Sequence, residues 1–300
     1  MMRAAVLGRP IGHSLSPVLH RAAYADLDLD WRFDALEVAD DAGLRAVLER
    51  CDAEGDWAGL ALTMPLKKLV LPLLDEVSET ATATGAANTV LFSQGPDVRE
   101  PAAASPGPDA GAGSRPWRAG DNTDVLGIVE AVREAGIGTL AEGVVLGGGA
   151  TACSAVAALR RLGAAAARVV VRSPDRAGDV AATGARLGLR VDLVTWADAA
   201  GSSSGLGGLV ISTVPAQAAP DVVRLLEDAD AGGSVLLDVA YDPWPTPVAE
   251  AWERAGGTAV GGFAMLLHQA VEQVRLMTGR TPSVEAMRAA GLAALAARHR

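Results

Sequence analysis

Two segments of this 300-residue chain hold side chains that could move protons. Thr63-Met64-Pro65-Leu66-Lys67-Lys68 puts an ammonium pair just past a short apolar run. Gly120-Asp121-Asn122-Thr123-Asp124 sets four polar side chains ahead of an apolar stretch. An ammonium within reach of a carbonyl can protonate the oxygen as charge develops there. A solvated lysine pair and a helix cap are the ordinary readings of these residues, although a cap needs only one side chain. A third segment, Gly8 to Pro17 (GRPIGHSLSP), brings Ser14 and Ser16 to a strand-to-helix turn. Two hydroxyls beside free helical N–H groups could hold a carboxylate without a formal positive charge. Simple capping is the better reading for Ser16, and Ser14 stays open.

A second chemistry is written at Leu146 to Ala152 (LGGGATA), between an apolar strand pattern and a helical one. Glycines there permit a tight turn and close approach of backbone to phosphate oxygens, and the following helix N-terminus favours negative charge. A structural glycine turn is the alternative. NAD-binding folds commonly end the next strand on Asp or Glu, for the ribose 2′-hydroxyl. Here the segment reads VVVRSPDR, so Arg172 stands near that place, 25 residues after Gly147, with Ser173 and Arg176 following. Guanidiniums can clamp a 2′-phosphate that a carboxylate would repel. NADP is therefore expected over NAD, against the plainer reading of solvated arginines at a helix start.

The elements that must position these residues alternate. Arg3–Gly8 reads as a strand, and Ser16–Leu27 as a helix with Ser16 at its cap and Pro17 at its first position. Trp31–Val38 reads as a strand, Asp40–Cys51 as a helix and Gly59–Met64 as a strand. A helix from Pro65 through Leu74 and a strand at Ala87–Phe92 follow. Ser93–Pro116 is rich in Pro, Gly, Ala and Ser and reads as a flexible hairpin extension or surface insertion. Strand and helix patterns restart at Gly143–Gly163 and Ala167–Gly188. Three more strands follow in LRVDLVTW, GGLVISTV and SVLLDVAY, with a loop at Gly201–Gly208. This alternation implies a doubly wound parallel sheet. The chain ends in helices at Gly262–Gly279 and beyond.

Composition excludes several partners. The net charge of −10 comes with no basic stripe, which argues against nucleic acid, and any anion site has to be built locally. Cys51 and Cys153 are the only cysteines, and no secretory or membrane-length apolar segment is seen, so a reducing, cytoplasmic setting is expected. The histidines, at 13, 20, 268 and 299, form no ligand pattern, and no metal is expected.

The motifs jointly resemble the shikimate dehydrogenase family. The matching pieces are Ser14–Pro17, Thr63–Lys67, Gly85–Thr89, Gly120–Asp124, the turn at 147–151, Arg172–Arg176, Tyr241–Pro243 with Thr246-Pro247, and Gly262–Gln269. They occur in family order and span nearly the whole chain. The resemblance implies an α/β, two-domain protein: an N-terminal α/β substrate domain over about residues 1–125, a Rossmann-like NADP-binding domain over 126–262, and helices 263–300 returning toward the first. It implies NADPH-dependent reduction of 3-dehydroshikimate to shikimate by a pair falling on Lys67 and Asp124, which would titrate as a unit. It implies that Ser14, Ser16 and Tyr241 hold the substrate carboxylate, and Thr63, Asn88, Asp124 and Gln269 the ring hydroxyls. The cofactor would lie on Gly147, Gly148, Gly149, Ala150, Thr151, Arg172, Ser173, Arg176 and Thr213, with Val239 and Gly262 beside the nicotinamide. Taken singly, Tyr241 reads equally well as a packed aromatic, Gln269 as a surface amide and Asn88 as a turn residue. Departures fall at Ala61, Ala150, Val171 and Ser173, mostly on the adenosine side. A sister enzyme acting on quinate or aminoshikimate and a non-catalytic NADP-binding regulator are the rival expectations. The expected partner is a small-molecule substrate, with a homodimer left open.

Overall fold

Runs such as Trp57–Leu62 carry no charge at all, and such runs become strands buried on both faces. All six of these residues are buried. In the computed structural model, which describes residues 1–93, 115–200, 208–226 and 229–298, they occupy the middle of the first of two sheets. The chain divides into two compact units. Met1–Thr82, Ala86–Thr123 and Ala270–Arg300 form one; Ala83–Gly85 and Asp124–Gln269 form the other.

The first unit is built on β1 (Met2–Gly8), β2 (Trp31–Glu37), β3 (Trp57–Leu62), β4 (Glu76–Val77), β5 (Thr89–Ser93) and β6 (Trp117–Asp121), in the order β2-β1-β3-β5-β6-β4. β1, β2 and β3 run parallel, while β5 is antiparallel to both β3 and β6, so the sheet is mixed. The helices Ser16–Asp26 and Val284–Arg298 pack together. A core of Leu44, Leu48, Leu60, Leu66 and Val90 fills one face.

The second unit is a fully parallel sheet of β7 (Glu142–Leu146), β8 (Ala166–Val171), β9 (Arg190–Thr195), β10 (Leu209–Ser212), β11 (Val235–Asp238) and β12 (Thr258–Gly261), in the order β12-β11-β10-β7-β8-β9. The order reverses direction between β7 and β10, the switch point at which doubly wound sheets bind ligands. Apolar clusters around Val145, Val156 and Leu159 and around Leu146, Leu236 and Trp252 fill its two faces. This is the Rossmann-like α/β architecture expected of the second half.

Several local expectations change. The helix expected over 65–74 is one turn, Leu66–Leu69, then a 3₁₀ turn at Leu71–Leu73. Pro72 has no N–H and disfavours helical geometry at the residue before it. Ser16 opens its helix, but its side chain makes no cap; the hydroxyl of Ser14 accepts the Ser16 N–H at 3.2 Å. The Arg172–Arg176 segment is not a helix start but a 3₁₀ turn over Pro174–Arg176, and the helix begins at Gly178. β6 was not expected, because Arg118 interrupts its apolar pattern. Arg118 is buried against Asp52, with Nη1 donating to Leu73 O at 3.3 Å. Breaking such a buried pair from one side costs roughly 3–5 kcal/mol. The interior of the segment read as an insertion (residues 94–114) and nearly all of the Gly201–Gly208 loop lie outside the described residues; Ser93 and Trp117, on either side of the first, are paired.

Candidate active site

In the first unit the candidate residues gather at one end of the sheet. Ser14 and Ser16 follow the carboxyl end of β1, Thr63 and Lys67 follow that of β3, and Asn88 precedes antiparallel β5. Parallel strands carry their functional loops at this end. The turn holding Lys67 is clamped. Leu7 O accepts the Thr63 N–H at 2.8 Å, Met64 O accepts the Arg9 N–H at 3.0 Å, and Thr63 O accepts the Leu66 N–H at 2.9 Å. Gly8 permits this, since a Cβ there would stand 2.2 Å from Thr63 Cγ2 and 2.9 Å from Met64 O. The lysines separate as their spacing on a helix requires: Lys67 is half-buried and Lys68 exposed. The Lys67 carbonyl also accepts the Ala87 N–H at 2.8 Å, tying this turn to the approach to Asn88.

Asn88 is buried and is more than a turn residue. Its Oδ1 accepts the Thr123 N–H and the Thr89 hydroxyl, both at 2.8 Å, and its Nδ2 donates to Thr123 Oγ1 at 3.0 Å. The polar run at 121–124 is spent on separate tasks. Asp121 Oδ1 accepts from Asn122 N at 2.7 Å and from the Ser78 hydroxyl at 2.5 Å, Thr123 locks Asn88, and Asp124 opens the helix Asp124–Glu134.

Below Ser16 lies an aromatic cluster. His20 is fully buried, stacks on Phe33 at 3.9 Å and lies edge-on to Tyr24. Its Nδ1 donates to Ser16 O at 2.9 Å. Burial holds this imidazole down at about pKa 4.

Asp124, Tyr241 and Gln269 belong to the second unit. Gln269 is buried rather than a surface amide, and its Nε2 donates to Leu266 O at 2.9 Å. A Cβ at Gly127 would stand 2.6 Å from Met265 O and 3.0 Å from Gln269 Cβ. The missing side chain therefore lets Gln269 pack one turn after Asp124, on the same helical face. Tyr241 is half-buried, just past β11.

The remaining candidates form a row along the carboxyl ends of five neighbouring strands. In sheet order these are Gly262 after β12, Val239 after β11, Thr213 after β10, Gly147 after β7 and Arg172 after β8. Gly147 has φ +111°, and a Cβ would stand 2.5 Å from Thr213 Oγ1, so the turn requires glycine twice over. Thr213 ties the row together, its hydroxyl donating to Leu146 O at 2.9 Å. Gly149 is exposed and precedes the helix Ala150–Arg161 with no side-chain cap, so the first-turn N–H groups remain for a ligand. Ala150 and Thr151 form that first turn.

A cavity of about 430 Å³ opens beside the turn, lined by Gly147, Gly148, Arg172, Ser173 and Arg176. Trp196, Val214, Pro215 and Ala218 also line it and were not expected from the sequence. Arg172 pairs with Asp221 at 3.1 Å and is 71% exposed. Asp221 is also paired with Arg224, and these guanidiniums, Arg224 first, hold its carboxyl below the usual range. Arg176 is exposed and has no ion-pair partner among the described residues. Backbone N–H groups, an apolar slot and free cationic charge together suit a dinucleotide carrying an extra phosphate. Beneath the row, Asp238 is buried, which pushes its carboxyl pKa up. The Thr246 hydroxyl opposes this, donating to it at 2.6 Å while capping the helix Pro247–Arg254.

Among the described residues, no cluster of three or more His, Cys, Asp or Glu could hold a metal ion, and no helix is long and apolar enough to cross a membrane.

Comparisons with known proteins point one way. Residues 6–90 match the shikimate dehydrogenase substrate binding domain, and residues 262–290 the shikimate 5′-dehydrogenase C-terminal domain. The shikimate dehydrogenase (NADP(+)) of Rubrobacter xylanophilus is 33% identical, covering 95% of this chain and 93% of its own length. The Mycobacterium tuberculosis shikimate dehydrogenase structure superposes with a TM-score of 0.80 at 35% identity, covering 98% of this chain and 100% of that one. The Thermus thermophilus shikimate 5-dehydrogenase, solved in complex with NADP(H) and shikimate, superposes with a TM-score of 0.73 at 29% identity, covering 98% and 100%. The pentafunctional AROM polypeptide of Yarrowia lipolytica is 31% identical over 91% of this chain, which spans only 16% of that protein's length.

Proposed function

The chain belongs to the shikimate dehydrogenase family, and from that premise we propose that it interconverts 3-dehydroshikimate and shikimate with NADP, using Lys67 and Asp124 to handle the proton. The observation that carries this reading is the half-buried Lys67, held by a clamped turn at the same sheet end as Ser14, Ser16, Thr63 and Asn88. When bound, NADPH supplies the hydride that reaches the ketone carbon. As that carbon becomes tetrahedral its oxygen gains negative charge, and the Lys67 ammonium stabilises the charge and delivers the proton. In the oxidative direction the neutral amine accepts the proton from the hydroxyl. Asp124 accepts a hydrogen bond from the substrate hydroxyl, and the lysine regains its proton from solvent before the next reduction.

The other residues orient. Ser14 and Ser16 take the substrate carboxylate with hydroxyl and N–H donors, assisted by Tyr241. Thr63, Asn88 and Gln269 take ring hydroxyls. Gly147–Thr151 would hold the NADP pyrophosphate, Arg172, Ser173 and Arg176 its 2′-phosphate, and Val239 and Gly262 would border the nicotinamide, with Thr213 also among the cofactor-binding residues. Cys51 and Cys153 are buried and form no disulfide, which suits a reducing cytoplasmic setting.

The deciding experiment is a rate panel of shikimate, quinate and aminoshikimate, each with NADP and NAD. Shikimate with NADP should give the highest kcat/KM. A quinate or aminoshikimate rate well above the shikimate rate would replace the substrate. Cofactor binding without turnover of any of the three would make the protein a binder rather than an enzyme.

A further inference from the structure

The helix Phe263–Thr278 carries a buried amide that none of the motifs includes. Gln273 is 1% exposed, and its Nε2 donates to Asn88 O at 3.2 Å and to Thr89 Oγ1 at 3.1 Å. Its Oε1 is buried with no hydrogen-bond partner among the described residues. An acceptor that the protein itself leaves unpaired costs roughly 1–3 kcal/mol, whereas an apolar side chain of the same shape would avoid that cost. Packing therefore does not account for an amide here, and its donor end must.

The directions of the neighbouring protons are fixed. The Thr123 N–H can only donate, and it donates to Asn88 Oδ1. A flipped Asn88 amide would face that N–H with its own donors, so Oδ1 must point to Thr123 N and Nδ2 to Thr123 Oγ1. The Thr89 hydroxyl lies 2.8 Å from the same Oδ1, so its proton points there too. Thr89 Oγ1 is then left as an acceptor, and Gln273 Nε2 fills it. The same Nε2 joins the Leu62 N–H on Asn88 O, bracing that peptide where β3 and β5 meet.

We propose that Gln273 is a positioning residue: its amide donor keeps Thr89 Oγ1 an acceptor, so that the Thr89 proton stays on Asn88 Oδ1 and reinforces the Asn88 orientation that the Thr123 N–H demands, next to Asp124. The proposal rests on Asn88 contacting the substrate ring, as in the proposed function. Gln273→Glu keeps the shape and reverses the chemistry. Its carboxylate accepts from Thr89 and draws that proton away from Asn88, and only the protonated acid can donate again.

With shikimate and NADP, Gln273→Glu should raise KM for shikimate at least tenfold at pH 8 while KM for NADP stays within twofold. Relative to wild type, that defect should shrink as pH falls toward 6. Gln273→Met should raise KM for shikimate with no pH recovery. Thermal unfolding of each variant shows that the fold is kept. Wild-type KM in both variants, or a defect in Gln273→Glu as flat with pH as that of Gln273→Met, overturns the proposal. Should Gln273→Glu not fold, amide exchange at Thr123 in Gln273→Met decides: faster exchange is expected, and unchanged exchange overturns it. Wild type measured alongside separates the premises. Its failure to turn over shikimate sinks the functional reading, while Thr123 exchange still reports on Gln273.

Discussion

The turn after β3 and the turn after β7 occupy equivalent places, each at the carboxyl end of a buried parallel strand. The first is built from side chains. Lys67 rides on a single helical turn, and Asn88, Thr89, Thr123 and Gln273 are buried and bonded to one another. The second is built from backbone. Gly147, Gly148 and Gly149 contribute no side chain, and the charges beside them, Arg172 and Arg176, are exposed. A buried network transmits any change of donor into acceptor, because each partner is left unsatisfied in a low-dielectric setting. A backbone cradle ringed by exposed charges loses affinity in small steps, each screened by water. Substitutions should therefore be severe and specific at the first turn, and graded at the second.

The largest effect belongs to Lys67. Lys67→Ala should lower kcat about 10²–10⁴-fold, the range expected for a lost general acid, while KM for shikimate changes far less. Lys68→Ala, on the exposed flank, should keep wild-type kinetics. Steady-state rates on the two variants decide the matter, and the reverse pattern would mean that the proton-transferring lysine is Lys68.

Next comes a pH effect on stability from the first unit. His20 has a native pKa of about 4 against 6.5 for the free side chain, because burial disfavours its charged form. The unfolded chain therefore binds a proton that the native chain refuses between these values. Stability from this group is complete above pH 6.5 and is lost as pH falls toward 4, by roughly 3 kcal/mol. His20→Asn can still donate to Ser16 O but does not titrate. Its midpoint in urea should be lower than wild type at pH 7 and should fall less between pH 6.5 and 4. An equal fall in both proteins would show that His20 is not the responsible group.

What could be read in advance follows the same contrast. The cradle was legible because a positive φ and a close approach can be met only by glycine, so a backbone requirement is written directly at Gly147. The alternating strands were legible because β3 and β8 are apolar throughout. β6 was not, since Arg118 becomes buried only by meeting Asp52, 66 residues away. The capping read at Ser16 did not hold, and Ser14 instead accepts the Ser16 N–H, because a cap is decided by one or two backbone dihedral angles rather than by residue type. Gln273 was invisible because its partner Thr89 lies 184 residues away. Trp196 was missed because it reaches the cavity only through the placing of β9 beside β8.

The smallest effects lie at the rim of the cradle, and there they have a sign. Arg176→Ala should weaken NADP about tenfold, near 1.4 kcal/mol for one charge-assisted contact, and leave NAD unchanged. Asp221 works in the opposite direction. It pairs with Arg172 and Arg224, so a 2′-phosphate arriving at Arg172 meets a guanidinium already shared with a carboxylate. Asp221→Asn removes that competing charge and leaves an amide oxygen that can still orient Arg172. NADP should then bind two- to threefold more tightly, by roughly 0.4–0.7 kcal/mol, a size typical of an exposed pair. The gain should fade as salt screens both arrangements. Titration of intrinsic tryptophan fluorescence, to which Trp196 at the cavity contributes, with NADP and NAD at low and high salt measures it. Weaker NADP binding in Asp221→Asn would mean instead that Asp221 mainly holds Arg172 in place, and that orientation outweighs charge at this rim.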